Sequence, residues 1–183
     1  MAARTDIDGR NVVLTGFMAT GKSTVGRLVA SRLRYAFVDT DRVIEERHGP
    51  IAQIFADGGE DRFRALEREV AQELAGLRSL VIATGGGLML DAVSSHALSA
   101  SGIVVTLRAS PEVIYRRVGG PRAGERRPLL AGPDPLGRIT DLLAQRDEVY
   151  GRFPQVVTDD RHPAAIADEI VALVSASDQA QPR

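Results

Sequence analysis

The chain has 183 residues, enough for one domain with a substantial core, and 44% of them are hydrophobic. Its 23 Lys and Arg residues nearly cancel 24 Asp and Glu, and a formal net charge of -1 offers no global field for nucleic acid or an anionic membrane. The absence of cysteine excludes disulfides, thiolate nucleophiles and cysteine zinc sites. The N-terminal MAARTDIDGR lacks the apolar stretch of a secretion signal, and no apolar run reaches the ~18 residues of a membrane span, so a soluble cytoplasmic protein is the expectation.

Residues 11–15, NVVLT, are densely apolar and stop at Gly16, which predicts a short buried strand. From Lys22 to Leu33 the residues Val25, Leu28, Val29 and Leu33 share one helical face. Residues 36–38 predict a second strand ending at Asp39. Two short helices, 42–47 and 51–56, break at Gly49-Pro50. Between Glu60 and Leu77 a longer helix is marked by Phe63, Leu66, Val70 and Leu74. Residues 79–83, SLVIA, predict a strand that runs into Thr84-Gly85-Gly86-Gly87, and 103–107, IVVTL, another, with Pro111 opening the helix behind it. The stretch 119–137 is rich in Gly, Pro and Arg, has no sustained periodicity and is too long for an ordinary connection. It is expected to be a mobile lid. A helix over 139–150, a strand over 155–158 and a helix over 164–174 complete the pattern, and the polar tail after Ser175, about 176–183, is expected to fray. Strands rich in Val and Ile, alternating with helices, predict a single α/β domain with a parallel sheet covered on both faces.

Residues 16–23, GFMATGKS, match GxxxxGK[ST] in full, after a strand and opening a helix. Gly16 and Gly21 let the chain wrap an anion, and backbone N–H groups at the helix start point at phosphates. Lys22 would reach the β- and γ-phosphates, and Ser23 would offer its hydroxyl to Mg²⁺. Ala19 and Thr20 stand where small glycine-rich pairs are common. Ala19 fits if its φ is negative, while the Thr20 side chain would either help or crowd the phosphate. A triphosphate site alone suits a kinase, a GTPase switch or an ATPase motor.

The rest of the chain decides between them. Asp39 and Asp41 sit at the end of the second strand, the sheet edge where open α/β sheets bind ligands. A carboxylate there orients a sugar-like hydroxyl and accepts its proton, or caps the following helix. Thr84 and the glycines Gly85, Gly86 and Gly87 strip side-chain bulk from another strand end, for ligand approach or for a tight turn. Arg64, Arg127 and Arg146 supply positive charge. An arginine pair matches a planar carboxylate, and a lid arginine follows charge onto a transferring phosphoryl group. His48, His96 and His162 show no ligand spacing.

In chain order, GFMATGKSTVGRLVA, FVDTD, GGEDRFRALE, TGGG, RRPLL, LLAQRDEVY and VTDDRHP together make the chain resemble the shikimate kinases, from about Asn11 to Val174. The resemblance implies a P-loop NTPase fold of the nucleoside monophosphate kinase type, with five parallel strands in the order 2-3-1-4-5. It implies transfer of the ATP γ-phosphate to the 3-hydroxyl of shikimate, with Mg²⁺. No spare apolar helix face is evident, so a monomer is expected, and the charge balance and lack of a long apolar run predict binding to neither nucleic acid nor membrane. Lys22, Asp39 and Arg127 correspond to the catalytic groups. The nucleotide set is Gly16, Ala19, Thr20, Gly21, Lys22, Ser23 and Thr24 with Arg117 near adenine, Arg161 in the late adenine loop and Arg127 in the lid. Ser23 and Asp39 match the Mg²⁺ groups. Asp41, Arg64, Gly85, Gly86, Gly87 and Arg146 match the acceptor site, and 41–76 the helical insertion that carries part of it. Two departures are Ala19, where a glycine is frequent, and a slightly long Gly119–Arg126 segment. A gluconate kinase and a non-catalytic nucleotide-binding module are the competing readings.

Overall fold

The computed structural model describes residues 9–179. Five strands form one parallel sheet: β1 (Asn11–Thr15), β2 (Ala36–Asp39), β3 (Leu80–Ala83), β4 (Gly102–Arg108) and β5 (Gln155–Val157), in the order β2-β3-β1-β4-β5. Among the described residues, eight α-helices connect and cover it: α1 (Lys22–Leu33), α2 (Thr40–His48), α3 (Ile51–Ala75), α4 (Ala92–Ser101), α5 (Pro111–Arg117), α6 (Ala123–Arg126), α7 (Pro135–Tyr150) and α8 (Pro163–Gln179). The expected fold and strand order are thus present.

Side chains alternate faces along each strand, which divides the core in two. Val12 and Leu14 of β1 face α1 and α8, packing with Val25, Val29, Ile166 and Ile170. Val13 between them faces α3 and α4, packing with Phe63, Val70, Leu74 and Leu98. A third cluster lies at one end of the sheet, where Phe17 meets Ile114, Leu130, Ile139 and Tyr150. Strand register sets the working edge. Leu14, Asp39 and Ala83 lie in one row, so the chain leaves β1, β2 and β3 side by side.

Four local features differ from the sequence reading. The two helices expected at 51–56 and from Glu60 run as one element, α3, interrupted only at Gly59, whose φ of 68° and ψ of -170° break the helical path. Sequence periodicity assigns nothing between the glycines and Ile103, yet α4 forms there, capped by the Asp91 carboxylate accepting from the Ser94 N–H. The segment expected to be a lid is built of helical turns: Gly120–Arg122 and Pro128–Leu130 as 3₁₀ turns around α6. It also starts α7 at Pro135, four residues early, because Asp134 caps Gly137 and Pro135 suits the first turn. Finally, α8 runs to Gln179 rather than fraying after Ser175, and residues 180–183 of the expected tail lie outside the described residues. Among the described residues, no helix is long and apolar enough to cross a membrane.

Candidate active site

The loop between β1 and α1 turns at three left-handed residues, Gly16 (φ 131°), Ala19 (φ 60°) and Gly21 (φ 97°). A side chain at Gly16 would collide with the Leu107 carbonyl, so only glycine fits against β4. Ala19 does not take the negative φ expected of it. Its left-handed backbone costs about 1–2 kcal/mol for an L-residue, and its carbonyl accepts a bond from Arg117 Nη1 at 3.2 Å. The Thr20 side chain neither reaches nor crowds the loop mouth. It is buried, and its hydroxyl donates inward to the Phe17 carbonyl at 2.8 Å, which leaves its backbone N–H as the group for a phosphate.

Lys22 folds over this loop, its Nζ donating to the Gly16 and Phe17 carbonyls at 2.8 Å each. Burial pushes its ammonium down to about 8, although Asp41 and Asp39 hold it partly up. The Ser23 hydroxyl donates to Asp39 Oδ2 at 2.5 Å, so the first turn of α1 and the end of β2 meet at one point. Lys22, Ser23, Asp39, Asp41, Gly86 and Arg127 line one cavity of about 320 Å³. That is the size of a small-molecule site. Thr24, in the same first turn, borders it too.

The glycine run closes the other side. The Gly85 N–H donates to the buried Thr40 hydroxyl at 2.8 Å, tying the end of β3 to the start of α2. A side chain at Gly85 would collide with Asp41 Oδ1 and lie 3.0 Å from Glu67 Oε1. Both of those carboxylate oxygens are buried and accept no hydrogen bond within the protein. Burial raises both acids, with Asp39 adding to the shift of Asp41 and Asp41 adding to that of Glu67. Two carboxylate oxygens aimed at one point without donors suit a ligand that brings hydroxyl groups.

Arginines flank the next two glycines. Arg146, buried on α7, donates from Nη1 to the Gly86 carbonyl at 3.1 Å and stacks 5.2 Å over the Phe17 ring. Arg64 lies against Gly87, where a side chain would come within 2.5 Å of its Nη1. It is held by Glu67 through Nη1 at 2.5 Å and by Glu60 through Nε and Nη2 at 3.2 and 2.9 Å. Helical spacing explains the grip, since Glu60 and Glu67 stand four before and three after Arg64.

Thus the fold brings together the phosphate loop, Asp39, Asp41, the glycines, Arg64, Arg127 and Arg146. The two arginines expected near adenine sit beyond the cavity lining. Arg117 bridges Ala19 to Thr158, donating to the Thr158 carbonyl at 2.8 Å. Arg161 is bound to the Val157 carbonyl and to Glu169 on α8, at 2.9 and 2.5 Å. The sequence reading missed Glu67 and Tyr150. The helical spacing of each from an arginine, three and four residues, was the available signal.

Comparison with known proteins agrees with this geometry. A family model described as shikimate kinase matches residues 18–175. The shikimate kinase of Symbiobacterium thermophilum is 46% identical over 164 residues, 88% of this chain and 94% of its own length. That of Caldanaerobacter subterraneus is 41% identical over 165 residues, covering 88% and 94%. Among solved structures, shikimate kinase from Acinetobacter baumannii in complex with shikimate superposes with a TM-score of 0.87 at 34% identity, over 97% of this chain and 99% of that one. A gluconokinase from Sinorhizobium meliloti shares the fold at 20% identity and a TM-score of 0.59, over 93% and 94%. The matches, the sheet order and the cavity converge: this chain belongs to the shikimate kinase family of ATP-dependent phosphotransferases with an alcohol group as acceptor.

Proposed function

We propose that the chain transfers the γ-phosphate of ATP to the 3-hydroxyl of shikimate, giving shikimate 3-phosphate and ADP. The observation that carries the reading is Arg64 and Arg146 flanking successive glycines, with the donor-less Asp41 beside them and the phosphate loop adjoining. Two guanidinium groups suit an acceptor with a fixed planar carboxylate, and Asp41 suits its ring hydroxyls. The relative with bound shikimate supports the same assignment.

In this reading the arginines fix one end of the acceptor and Asp41 the other, which turns the 3-hydroxyl toward the γ-phosphorus. Asp39 orients that hydroxyl and takes its proton as the new O–P bond forms. The bond from the γ-phosphorus to the β–γ bridging oxygen breaks, and ADP leaves with the electron pair. Lys22 and Arg127 stabilise the charge on the transferring group, and most of the rate comes from such positioning and electrostatics. The Ser23–Asp39 pair fits Mg²⁺, because one hydroxyl and one carboxylate are the hard oxygen ligands this ion takes beside phosphates and water. Bound there, the ion would neutralise phosphate charge. The nucleotide set is completed by loop N–H groups from Gly16 to Thr24, by Arg117, and by Arg161 once released from Glu169. The stretch 41–76 serves as the acceptor-binding insertion and 119–137 as the lid of a monomeric, cytoplasmic enzyme.

A coupled ADP-release assay tests this directly with shikimate, gluconate and nucleoside monophosphates. Shikimate should accelerate ADP release far above the rate without acceptor, and the others should not. An equal rate with gluconate would overturn the acceptor assignment.

A further inference from the structure

The Gly86 carbonyl takes two donors, and only one of them belongs to the arginine set. Arg146 Nη1 binds it at 3.1 Å, and the Tyr150 hydroxyl binds it at 2.7 Å. Tyr150 is the last residue of α7, one helical turn beyond Arg146, so both groups leave the same face of that helix. The ring is 4% exposed and packs in the cluster with Phe17, Ile139 and Leu142. The Tyr150 carbonyl in turn accepts from the buried Thr106 hydroxyl at 2.9 Å, which anchors that end of α7 to β4.

A buried tyrosine usually finds some partner for its hydroxyl. This one takes the carbonyl of a cavity-lining glycine that is wedged between Arg146 and the phosphate loop. The Gly86 α-carbon faces Met18 N and Gly16 O, 3.6 and 3.9 Å from the position of a side chain. Glycine peptides rotate easily, and no side chain at 85, 86 or 87 restrains this run. In a trans peptide the N–H points opposite its C=O. Fixing the Gly86 carbonyl on α7 therefore fixes the Gly87 N–H as well, beside Arg64. One donor would leave that plane free to tilt about a single bond, whereas two donors from one helix face remove the tilt.

We propose that Tyr150 is a positioning residue for the acceptor site, whose hydroxyl locks the Gly86–Gly87 peptide and thereby sets Arg146 and Arg64 relative to each other around the acceptor carboxylate. This rests on the acceptor assignment above. Burial raises the phenol above its ordinary range, opposed by Arg146, so it remains a neutral donor at working pH.

Tyr150→Phe removes one oxygen and leaves the ring in its cluster. Steady-state kinetics are measured for shikimate and its methyl ester at saturating ATP, and for ATP at saturating shikimate, beside thermal melts. KM for shikimate should rise roughly three- to tenfold, the fold-change of one hydrogen bond in a buried site, with KM for ATP changing less than twofold. The preference of the variant for acid over ester should shrink in parallel. An unchanged KM for shikimate with a lowered melting temperature would reduce Tyr150 to a packing role and overturn the proposal. So would an equal loss toward acid and ester. If the wild type itself failed to prefer acid over ester, the acceptor assignment would fall first, and the two failures are thereby told apart.

Discussion

Lys22 spends its donors on two carbonyls of its own loop, and that arrangement has consequences for rate and for stability. Lys22→Met should lower kcat at least about a hundredfold, since charge stabilisation near 3 kcal/mol vanishes with the ammonium. Near wild-type kcat in a folded variant would remove Lys22 from the chemistry. Its pKa also makes a signed prediction. The folded value of about 8 lies below the ordinary 10.5. Between these the unfolded chain binds the extra proton, so wild-type stability relative to Lys22→Met should rise as pH climbs through that window. Asp41 works in the opposite sense. Its folded pKa is raised, mostly by burial, so its share of stability is fully present in acid and lost as pH rises through the folded value. Asp41→Asn should therefore melt above wild type at neutral pH, with the gap closing toward pH 4, while kcat/KM for shikimate collapses. A variant that loses activity and also melts lower would contradict this. The sequence made Lys22, Asp39 and the glycines legible because motif and strand-end position converge on them. Glu67 and Tyr150 escaped because their spacing reads equally as an ordinary surface pair and an ordinary core tyrosine. Ala19 escaped differently, since a left-handed alanine contradicts local preference and only the Arg117 contact and the loop's closure hold it there.

Elements with strong apolar periodicity, such as α1 and the second half of α3, were readable to within a residue or two, as were all five strands. The small polar residues of α4 blur the apolar face that periodicity detects, so capping at Asp91 was the only local signal. The short turns within 119–137 are not legible in the sequence, because they are stabilised by burial of Ala123 and Leu130 rather than by any repeat. If this segment closes over ligands as proposed, tryptic cleavage after Arg122 and Arg126 should slow when an ATP analogue and shikimate are both bound. Equal cleavage with and without them would leave it a static cover. The break in α3 has its own test. Gly59 sits at φ 68° with nothing within 4 Å of a side-chain position, so Gly59→Ala meets backbone strain alone. A loss of about 1–3 kcal/mol is expected by denaturant unfolding.

Across the whole molecule the groups expected to bind the two ligands divide along the sheet. The β2–β3 side carries Asp41, Arg64 and the glycines, the β4–β5 side carries Arg117 and Arg161 beyond the cavity lining, and the phosphate loop follows central β1. Each ligand should therefore stabilise the fold separately. At a concentration of a hundred Kd, shikimate alone should add about 2.7 kcal/mol, a melting shift of roughly 5–10 °C for a chain of this size. No shift at saturating shikimate would place the acceptor elsewhere. The third apolar cluster bears on how such a molecule moves. Ala123 and Leu130 are both fully buried in it, alongside Phe17 of the phosphate loop and Tyr150 of α7. The segment proposed as a lid is thus a strap pinned at two points, with Arg127 between the pins. A strap of this kind does not swing on a hinge. If it closes over ligands as proposed, it should bow, with the arc open to Arg127 bounded by the slack of the six residues between Ala123 and Leu130.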